Sequence, residues 1–428
     1  MKNQISEPPG ARLALQQVKR QRKIIPLQSL PVNAPLPLQE EISPARIYRS
    51  VDDMVHDMRP EMSVQCLRPA TIVATAKRFL KAFPGDVMYA VKTNPDRRVL
   101  RYLSQAGVTH YDVASLAEVK LVADTLPGAE MHFMHPVKSR EAIAAAYEEY
   151  GVRDFSLDTP EELQKILDVT NNASDLGLYI RLSVPQDGAA MSLAGKFGIA
   201  LDQAVPLLLA ARQSAARLGV CFHVGSQCMN PDAYMSAMQK VVDLLSKADV
   251  RIDVLDIGGG FPSIYPGMTP PPLGHYMRAI KKALKAHPVL AECQLICEPG
   301  RALVAEGGSV VARVEARKGN MLYINDGIYG SLFDAGTPGF IFPVKAIRPG
   351  GALSTEMAEF GFFGPTCDSL DAMKGPFQLP KDIAEGDWIE IGQLGAYGAT
   401  MRTGFNGFYS DLTVEVADKP ILSMIGVH

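Results

Sequence analysis

Eight short apolar runs, separated by segments with a helical period, constrain what this chain can fold into. Strands that alternate with helices along a chain indicate parallel βα units. Eight such units fit a closed α/β barrel of the TIM type, with eight strands, better than an open doubly wound sheet. The predicted strands are residues 87–91, 108–113, 131–135, 153–157, 178–182, 220–224, 254–257 and 294–297. The predicted helices between them include residues 116–126, 141–150, 161–169, 204–218, 233–245 and 276–284.

The pattern changes after Arg301, and this change predicts a second domain. Short β-like runs are separated there by turn-forming residues, with little helical period between them, which is typical of a mostly antiparallel β domain. These runs are residues 310–316, 321–324, 340–346, 388–391 and 412–416. We expect a flexible N-terminal extension at 1–45, a barrel domain at 46–305 and a C-terminal β domain at 306–428. A short amphipathic helix is also expected within residues 47–58.

Composition excludes several classes of protein. The formal net charge of −3 over 428 residues gives no electrostatic case for a nucleic-acid or anionic-membrane partner. No apolar run approaches the roughly 20 residues that a membrane span needs, and the N-terminus lacks the apolar core of a signal peptide. The cysteines indicate reduced thiols of a cytoplasmic protein, without zinc-like pairs, and no metal ligands are predicted. The six cysteines are Cys66, Cys221, Cys228, Cys293, Cys297 and Cys367.

Polar, glycine and titratable residues follow the apolar runs, at the rim where barrel enzymes carry their chemistry. This concentration predicts an active site at the carboxyl ends of the strands. The residues in chain order are Lys92, Asp112, His135, Asp158, Arg181, His223, Ser226, Gly258, Gly259, Gly260, Glu298 and Arg301.

Lys92 ends the first apolar run and has two interpretations. Lysine is seldom buried, so it could extend its ammonium into solvent where the strand ends. Alternatively, Lys92 is a Schiff-base lysine, made nucleophilic by a lowered pKa in a partly desolvated pocket.

The other rim residues also have structural alternatives. The three glycines at 258–260 could cradle a phosphate with backbone N–H groups, or could form a tight turn. Glu298 could face a pyridine nitrogen while Arg301 binds a phosphate, or the two could pair with each other. His223 could be a structural residue.

Two further motifs lie in the second domain. Cys367 and Asp368 place a thiol next to a carboxylate in a polar turn, where the thiol could act as a proton donor or a nucleophile. Tyr397 lies between Gly395 and Gly398, and could bind a phosphate or fill a corner of the β domain.

Taken together, these motifs resemble a known family. YAVKTN, DVAS, HVGSQ, DIGGGFP, EPGR, NDGIYGS, GPTCDS and GAYG occur here in order, and the resemblance covers residues 45–425. The chain is similar to the pyridoxal-phosphate-dependent basic amino-acid decarboxylases with an alanine-racemase-like barrel, in particular the eukaryotic-type ornithine decarboxylase group.

The resemblance implies roles for individual residues. Lys92 would be the Schiff-base lysine, His223 would stack on the cofactor ring, and Glu298 would pair with its pyridine nitrogen. Cys367 would protonate the substrate carbon after CO₂ leaves, and Asp368 would bind the distal ammonium of the substrate. In this family both positions enter the active site of the partner subunit, which implies a homodimer with shared active sites. The phosphate would be held by Ser226, Gly258, Gly259, Gly260, Arg301 and Tyr397, and the positions that line the cofactor and support Lys92 would be Asp112, Glu118 and Arg181.

The resemblance also implies decarboxylation of L-ornithine to putrescine, a step of polyamine biosynthesis. The alternative substrate is L-lysine, or both amino acids. Members of the family often have a second substrate-binding carboxylate several residues after the NDGIYGS motif, and Asp334 is closer to the motif than that, which leaves the length of the substrate open. Diaminopimelate and arginine decarboxylases are less favoured. A catalytically silent relative that binds the cofactor is the alternative from another class.

Overall fold

The computed structural model describes residues 46–423 except 187, 193, 194 and 337. The predicted N-terminal extension at 1–45 lies outside the described residues. Within the described part of the chain, no helix is both long enough and apolar enough to cross a membrane.

Strands and helices alternate through the first two thirds of the described chain. The strands are β1 (Ile47–Tyr48), β2 (Val64–Leu67), β3 (Asp86–Ala90), β4 (His110–Val113), β5 (Glu130–Phe133), β6 (Asp154–Leu157), β7 (Gly177–Arg181), β8 (Ala189–Met191), β9 (Arg217–Cys221), β10 (Ser226–Cys228), β11 (Val254–Asp256), β12 (Gln294–Cys297), β13 (Gly308–Lys318), β14 (Met321–Ile324), β15 (Val344–Ile347), β16 (Met357–Phe363), β17 (Ala372–Pro380), β18 (Trp388–Ile391) and β19 (Thr413–Val416). The helices are α1 (Val51–Met58), α2 (Pro69–Ala82), α3 (Arg97–Ala106), α4 (Leu116–Thr125), α5 (Arg140–Glu148), α6 (Pro160–Val169), α7 (Ala204–Ser214), α8 (Asp232–Ala248), α9 (Leu273–Ala286), α10 (Pro288–Ala291) and α11 (Arg301–Val304).

Eight strands close into the predicted parallel barrel, in the order β11-β12-β3-β4-β5-β6-β7-β9. Successive side chains of each strand point to opposite faces. On β7, Leu178 and Ile180 join the large apolar cluster shared with the helices, whereas Tyr179 joins a separate small cluster inside the barrel. The members of this inner cluster are Met88, Met134, Tyr179, Cys221, Val254 and Ile296.

Side-chain caps fix the start of several barrel helices. The side chains of Asp96, Ser115, Ser139 and Thr159 accept hydrogen bonds from backbone N–H groups in the first turns of α3, α4, α5 and α6, respectively. Such caps stabilise a helix by about 1 kcal/mol each. They also fix where each strand-end loop stops, and these loops carry the rim residues.

The boundary between α7 and β9 differs from the prediction. Residues 204–218 were predicted to be helical, but α7 ends at Ser214 and Ala215 is extended. The backbone N–H of Ala216 donates to the carbonyl of Leu176, and Leu218 pairs with Leu178 of β7. An apolar residue such as Leu218 fits both the helical period of 3.6 residues and the strand period of two. Leu218 belongs to β9 because it pairs with the neighbouring strand β7.

The second domain is a nine-stranded, mostly antiparallel sheet. Its strand order is β1-β19-β2-β13-β14-β16-β17, and β18 pairs with both β13 and β15. The parallel pairs are β1–β19, β19–β2 and β14–β16. Strands β16 and β17 were missed by the sequence analysis, and residues 340–343 precede β15 rather than belonging to it.

The segment before α2 also belongs to this sheet. β2 pairs with β13 and with β19, and β1 pairs with β19. Residues 47–48 form a strand and only Val51–Met58 is helical, with α1 packed on the sheet through Val51, Met54 and Val55. The barrel range of 46–305 therefore included residues that pair elsewhere, because periodicity along the chain does not report long-range strand pairing.

Arg68 joins the start of α2 to the sheet through a buried network. Its guanidinium donates to the carboxylate of Glu390 at 2.7 Å, to Ser309 Oγ at 2.8 Å and to Asp418 Oδ1 at 3.0 Å. The side chains of Arg68 and Glu390 are 2% and 1% exposed. This network links β2, β13, β18 and the chain after β19.

We predict that Arg68→Met lowers the free energy of unfolding by about 3–5 kcal/mol, because it leaves the Glu390 carboxylate buried without its cation. Denaturant unfolding measures the change. Lys381→Met is the matched control, since Lys381 and Glu356 form an exposed ion pair worth about 1 kcal/mol or less. Equal effects of the two substitutions would contradict a structural role for the buried network.

Candidate active site

A cavity of about 460 Å³ opens at the carboxyl ends of the barrel strands. Of the residues predicted from the sequence, ten line this cavity: Lys92, Asp112, His135, Arg181, His223, Ser226, Gly260, Glu298, Arg301 and Tyr397. Residues that the sequence analysis did not assign to a site also line it, among them Met134, Lys196 and Phe197.

Lys92 lies directly after β3, in the 3₁₀ turn Val91–Thr93 rather than in the strand itself. Its Nζ donates to Asp112 Oδ2 at 2.8 Å, and Asp112 is buried on the neighbouring strand β4. The Lys92 side chain is 47% exposed, although the groups around it are buried, because it faces the open cavity. Lys92 is therefore accessible to a small molecule and held in place by a carboxylate.

The charge around Lys92 corrects one expectation. Burial opposes the charged ammonium, but the carboxylates of Asp112 and Glu298 outweigh burial and raise the pKa of Lys92 above its ordinary value. The lowered pKa that the sequence analysis associated with a reactive lysine is wrong for this arrangement of charges.

Glu298 and Asp256 form a buried carboxyl pair beside Lys92. Burial, and then the nearby Glu298 carboxylate, raise the pKa of Asp256 well above its ordinary value, which favours a protonated Asp256. Burial and Asp112 also raise the pKa of Glu298, whereas Lys92 and Arg181 lower it. The protonated Asp256 donates a side-chain hydrogen bond to the Glu298 carboxylate. The sequence signal for Asp256 was its place two residues before the strand-end glycines.

The glycines at 258–260 allow backbone segments to approach each other closely. Gly258 and Gly260 have φ values of 67° and 96°, in the left-handed region that favours glycine. A Cβ atom would lie 2.1 Å from the Phe222 carbonyl oxygen at Gly258, and 2.5 Å from the Gly225 carbonyl oxygen at Gly260. Gly258, Gly259 and Gly260 therefore form a closely packed backbone segment, the glycine wall, and Gly260 lines the cavity.

Arg301 follows β12 and is clamped by two groups. Its Nη1 donates to the Tyr265 hydroxyl at 2.8 Å and its Nη2 to Asp334 Oδ2 at 3.0 Å. Its guanidinium faces the ring of Tyr397 at 4.9 Å, and its Nε is buried without a partner in the described structure. Arg301 therefore pairs with Asp334 and not with Glu298, which was the structural alternative.

This pairing bears on the expected role of Asp334. Asp334 is buried and does not line the cavity, because its carboxylate is turned to Arg301. Its assignment as a substrate-binding residue stays a prediction that the observed contact does not favour.

His223 and Glu118 support the rim from either side. The Nδ1 of His223 accepts a hydrogen bond from the backbone N–H of Gly225 at 2.9 Å. Burial and the charges of Arg181 and Lys92 lower its pKa to about 3, so the imidazole is neutral at physiological pH. Glu118 does not line the cavity; its Oε2 accepts from the Ala114 N–H at 2.7 Å and fixes the turn after Asp112.

Cys367 and Asp368 lie on another part of the surface, in the connection between β16 and β17. Cys367 is exposed, and its backbone N–H donates to Asn406 Oδ1 at 3.1 Å. Asp368 accepts hydrogen bonds from the Tyr329 hydroxyl and from the Leu370 N–H. Neither residue lines the cavity that contains Lys92. A single chain therefore does not bring the predicted proton donor and substrate carboxylate to the predicted lysine.

Comparison with known proteins identifies the class. Residues 69–305 match the family model of the pyridoxal-dependent decarboxylases, pyridoxal binding domain. With this match over more than half of its length, the chain belongs to the pyridoxal-dependent decarboxylases, as the motifs implied. It is a decarboxylase of basic amino acids, and its cofactor is pyridoxal 5′-phosphate.

Relatives of known name cover most of the chain. It is 31% identical to the lysine/ornithine decarboxylase of Selenomonas ruminantium, over 78% of this chain and 84% of that protein. It is 32% identical to the ornithine decarboxylase of Panagrellus redivivus, over 83% and 86% of the two chains. The solved lysine/ornithine decarboxylase of Vibrio vulnificus, complexed with cadaverine, has a TM-score of 0.73 and 29% identity, over 87% of this chain and all of that one.

The cavity fits pyridoxal phosphate on three observations. The Glu298 carboxylate lines the cavity and would accept a hydrogen bond from the N–H of a protonated pyridine ring. The close-packed glycine wall leaves room for a phosphate where side chains would intrude. The unpartnered Nε of Arg301 supplies a buried donor of positive charge.

We predict that Gly258→Ala weakens binding of pyridoxal phosphate at least about tenfold, because its Cβ would collide with the Phe222 carbonyl and move the glycine wall. Cofactor absorbance measured during titration of the apoenzyme gives the affinity. Gly267→Ala is the control, because Gly267 has a similar φ of 77° but open space around its Cβ position, leaving only backbone strain of about 1–2 kcal/mol. Comparable losses in both variants would remove the close approach as the cause.

Proposed function

We propose that this enzyme decarboxylates L-ornithine to putrescine, with L-lysine as the second substrate to consider. The observation that carries the proposal is the Lys92–Asp112 pair beside the Glu298 carboxylate, in one cavity with the buried Arg301. The names of the Selenomonas and Panagrellus relatives support the choice between substrates.

The residues of the cavity would divide the work of binding. Lys92 Nζ would hold the aldehyde carbon of the cofactor covalently until the substrate amino group replaces it. Glu298 would keep a proton on the pyridine nitrogen, and the neutral His223 would pack on the ring face. When bound, pyridoxal phosphate accepts the electron pair that remains on the α-carbon as CO₂ departs.

We further propose a homodimer in which each active site takes Cys367 and Asp368 from the partner subunit. Both residues lie away from the cavity of their own chain, in a loop that is open to a neighbour. Large apolar side chains are exposed close by, with Leu370 at 70% and Phe405 at 42% exposure. Exposed apolar side chains grouped in this way support an interaction surface. The thiol of Cys367 would then deliver a proton to the α-carbon.

Substrate length is the finer part of the proposal. A distal ammonium needs a carboxylate partner, and Asp368 would supply it. Since Arg301 engages Asp334, we propose that Asp334 positions this arginine rather than binding the substrate ammonium. Arginine and meso-diaminopimelate remain less favoured alternatives. A silent relative that binds the cofactor without turnover is the alternative from another class.

We expect the purified protein with added pyridoxal phosphate to release CO₂ fastest from L-ornithine, when L-ornithine, L-lysine, L-arginine and meso-diaminopimelate are compared. The Lys92→Ala variant should release none from any of the four, whereas Lys120→Ala, at an exposed lysine on α4, should match the wild type. A preference for lysine would overturn the substrate and keep the class. Appreciable turnover by Lys92→Ala would remove Lys92 from its central role.

We predict that Cys367→Ala slows formation of the diamine and diverts part of the substrate to oxidised or transaminated products, because the carbanion lacks its proton donor. Product analysis by mass spectrometry checks this. With shared sites, mixing equal amounts of Lys92→Ala and Cys367→Ala chains, under subunit exchange, should restore about one quarter of wild-type activity: half of the dimers are hybrids, each with one intact site of two. A mixture no more active than the mean of its components would argue against shared sites.

A further inference from the structure

Three residues with metal-binding side chains converge at the amino end of β4 and β5, opposite the cofactor cavity. His110 Nδ1 lies 3.0 Å from His132 Nε2 and 3.5 Å from Glu130 Oε2. One ligating atom from each of the three residues lies within 4.8 Å of the other two. In a tetrahedral zinc site, ligand nitrogens at about 2.0–2.1 Å from the metal stand about 3.3 Å apart. The distance between the two histidine nitrogens is therefore a few tenths of an ångström shorter than in such a site.

We propose that His110, Glu130 and His132 bind a divalent transition-metal cation, with zinc as the natural occupant. Two imidazoles and a carboxylate are ligands of the type that zinc takes, and a fourth position remains for water. Glu130 is 68% exposed and the His110 side chain is 16% exposed, so the metal can enter from solvent.

The strand register brings the ligands together. His110 pairs with Glu130 across the β4–β5 ladder, and His132 stands two residues beyond Glu130 on the same face. His132 in turn pairs with Asp154 of β6. Because the three ligands come from two strands, no local spacing in the sequence marked the site.

A second group orients His132 as the partners of metal ligands usually do. The Nδ1–H of His132 donates to Asp154 Oδ2 at 2.6 Å, which leaves the Nε2 lone pair directed toward His110. A carboxylate that holds the far nitrogen of a ligating histidine is a common second partner at zinc sites. Asp154 is itself 5% exposed and receives a hydrogen bond from the Tyr179 hydroxyl at 3.1 Å.

The backbone around Asp154 is shaped to accommodate this carboxylate. A Cβ atom at Gly177, the residue opposite Asp154 on β7, would lie 1.8 Å from Asp154 Oδ1. The site also carries acidic groups: Glu130 Oε2 lies 3.5 Å from His110 Nδ1, and Asp154 Oδ2 lies 2.6 Å from His132 Nδ1. The Arg217 guanidinium, 3.6 Å from Asp154 Oδ2, offsets part of this negative charge.

The proposed site is separate from the cofactor cavity. None of its three ligands lines that cavity, and the apolar inner cluster, which includes Met88 and Met134, fills the barrel. Without a metal, the same groups would form a hydrogen-bonded series in which His110 donates to His132 and His132 to Asp154. This metal-free arrangement is the reading that the experiment must exclude.

The test is zinc retention by the full-length holoenzyme without a histidine tag, after dialysis against zinc and then against metal-free buffer. The metal content per chain is counted by mass spectrometry, and competition with a chelator gives the affinity. The variants are His110→Asn, Glu130→Gln and Asp154→Asn, with His275→Asn as control because His275 is exposed on α9. Bound-cofactor absorbance verifies that each variant is folded.

We expect about one zinc per chain in the wild type and in His275→Asn. His110→Asn and Glu130→Gln should lower the affinity at least tenfold, and Asp154→Asn by about 10–100-fold. Zinc should also raise the melting temperature of the wild type but not of His110→Asn. Glu130 is exposed, so Glu130→Gln keeps the test valid if His110→Asn fails to fold. A wild type without stoichiometric zinc, or variants that retain as much zinc as the control, would overturn the proposal.

Discussion

Closure of the barrel places one lysine between two buried carboxylates, and the electrostatics of the cavity depend on this placement. Lys92 follows β3, which lies between β4 with Asp112 and β12 with Glu298. The β12–β3 pairing joins residues more than 200 positions apart, so the charge cluster exists only when the barrel closes. Burial opposes every charge in the cluster, and the opposite charges offset one another at short range. Loss of the ammonium would leave Asp112 and Glu298 with Arg181 as a compensating charge.

The barrel and the positions of its rim residues could be predicted because both follow from short-range pattern. Alternation of strand and helix determines the fold class, and in a parallel barrel all the strand ends meet at one rim. The end of α7 and the membership of β1 and β2 could not be predicted in this way. Leu218 satisfies both periods, and the pairing of β2 with β13 joins segments about 240 residues apart. Strands β16 and β17 were missed because Gly361, Gly375, Pro376 and Pro380 weaken the strand signal in their sequences.

The candidate site shows the same division between what sequence does and does not determine. The identity and the order of Lys92, Glu298 and Arg301 indicated that the site binds a cofactor. They did not indicate which side chains would contact each other. Arg301 has Tyr265 and Asp334 as partners, from a loop and from the second domain. The sign of the pKa shift of Lys92 likewise depends on a balance between burial and two carboxylates, which only the folded arrangement supplies. Likewise, no local pattern in the sequence indicated that Cys367 would lie outside the cavity of its own chain.

The two-residue period of the strands gives the barrel polar groups at both ends and an apolar interior between them. On β4, His110 and Asp112 project to the same face, yet Asp112 meets Lys92 at one end while His110 meets His132 at the other. On β5, His132 is followed two residues later by Met134, which belongs to the inner apolar cluster and also lines the cofactor cavity. Tyr179 belongs to the same cluster, and its hydroxyl donates a hydrogen bond to Asp154. Its ring is therefore part of the apolar interior, and its hydroxyl is part of the polar network at the amino end of the barrel. Because interiors are close-packed and transmit displacements, a cation that fixes His110 and His132 would also fix the strands that carry Asp112 and Met134.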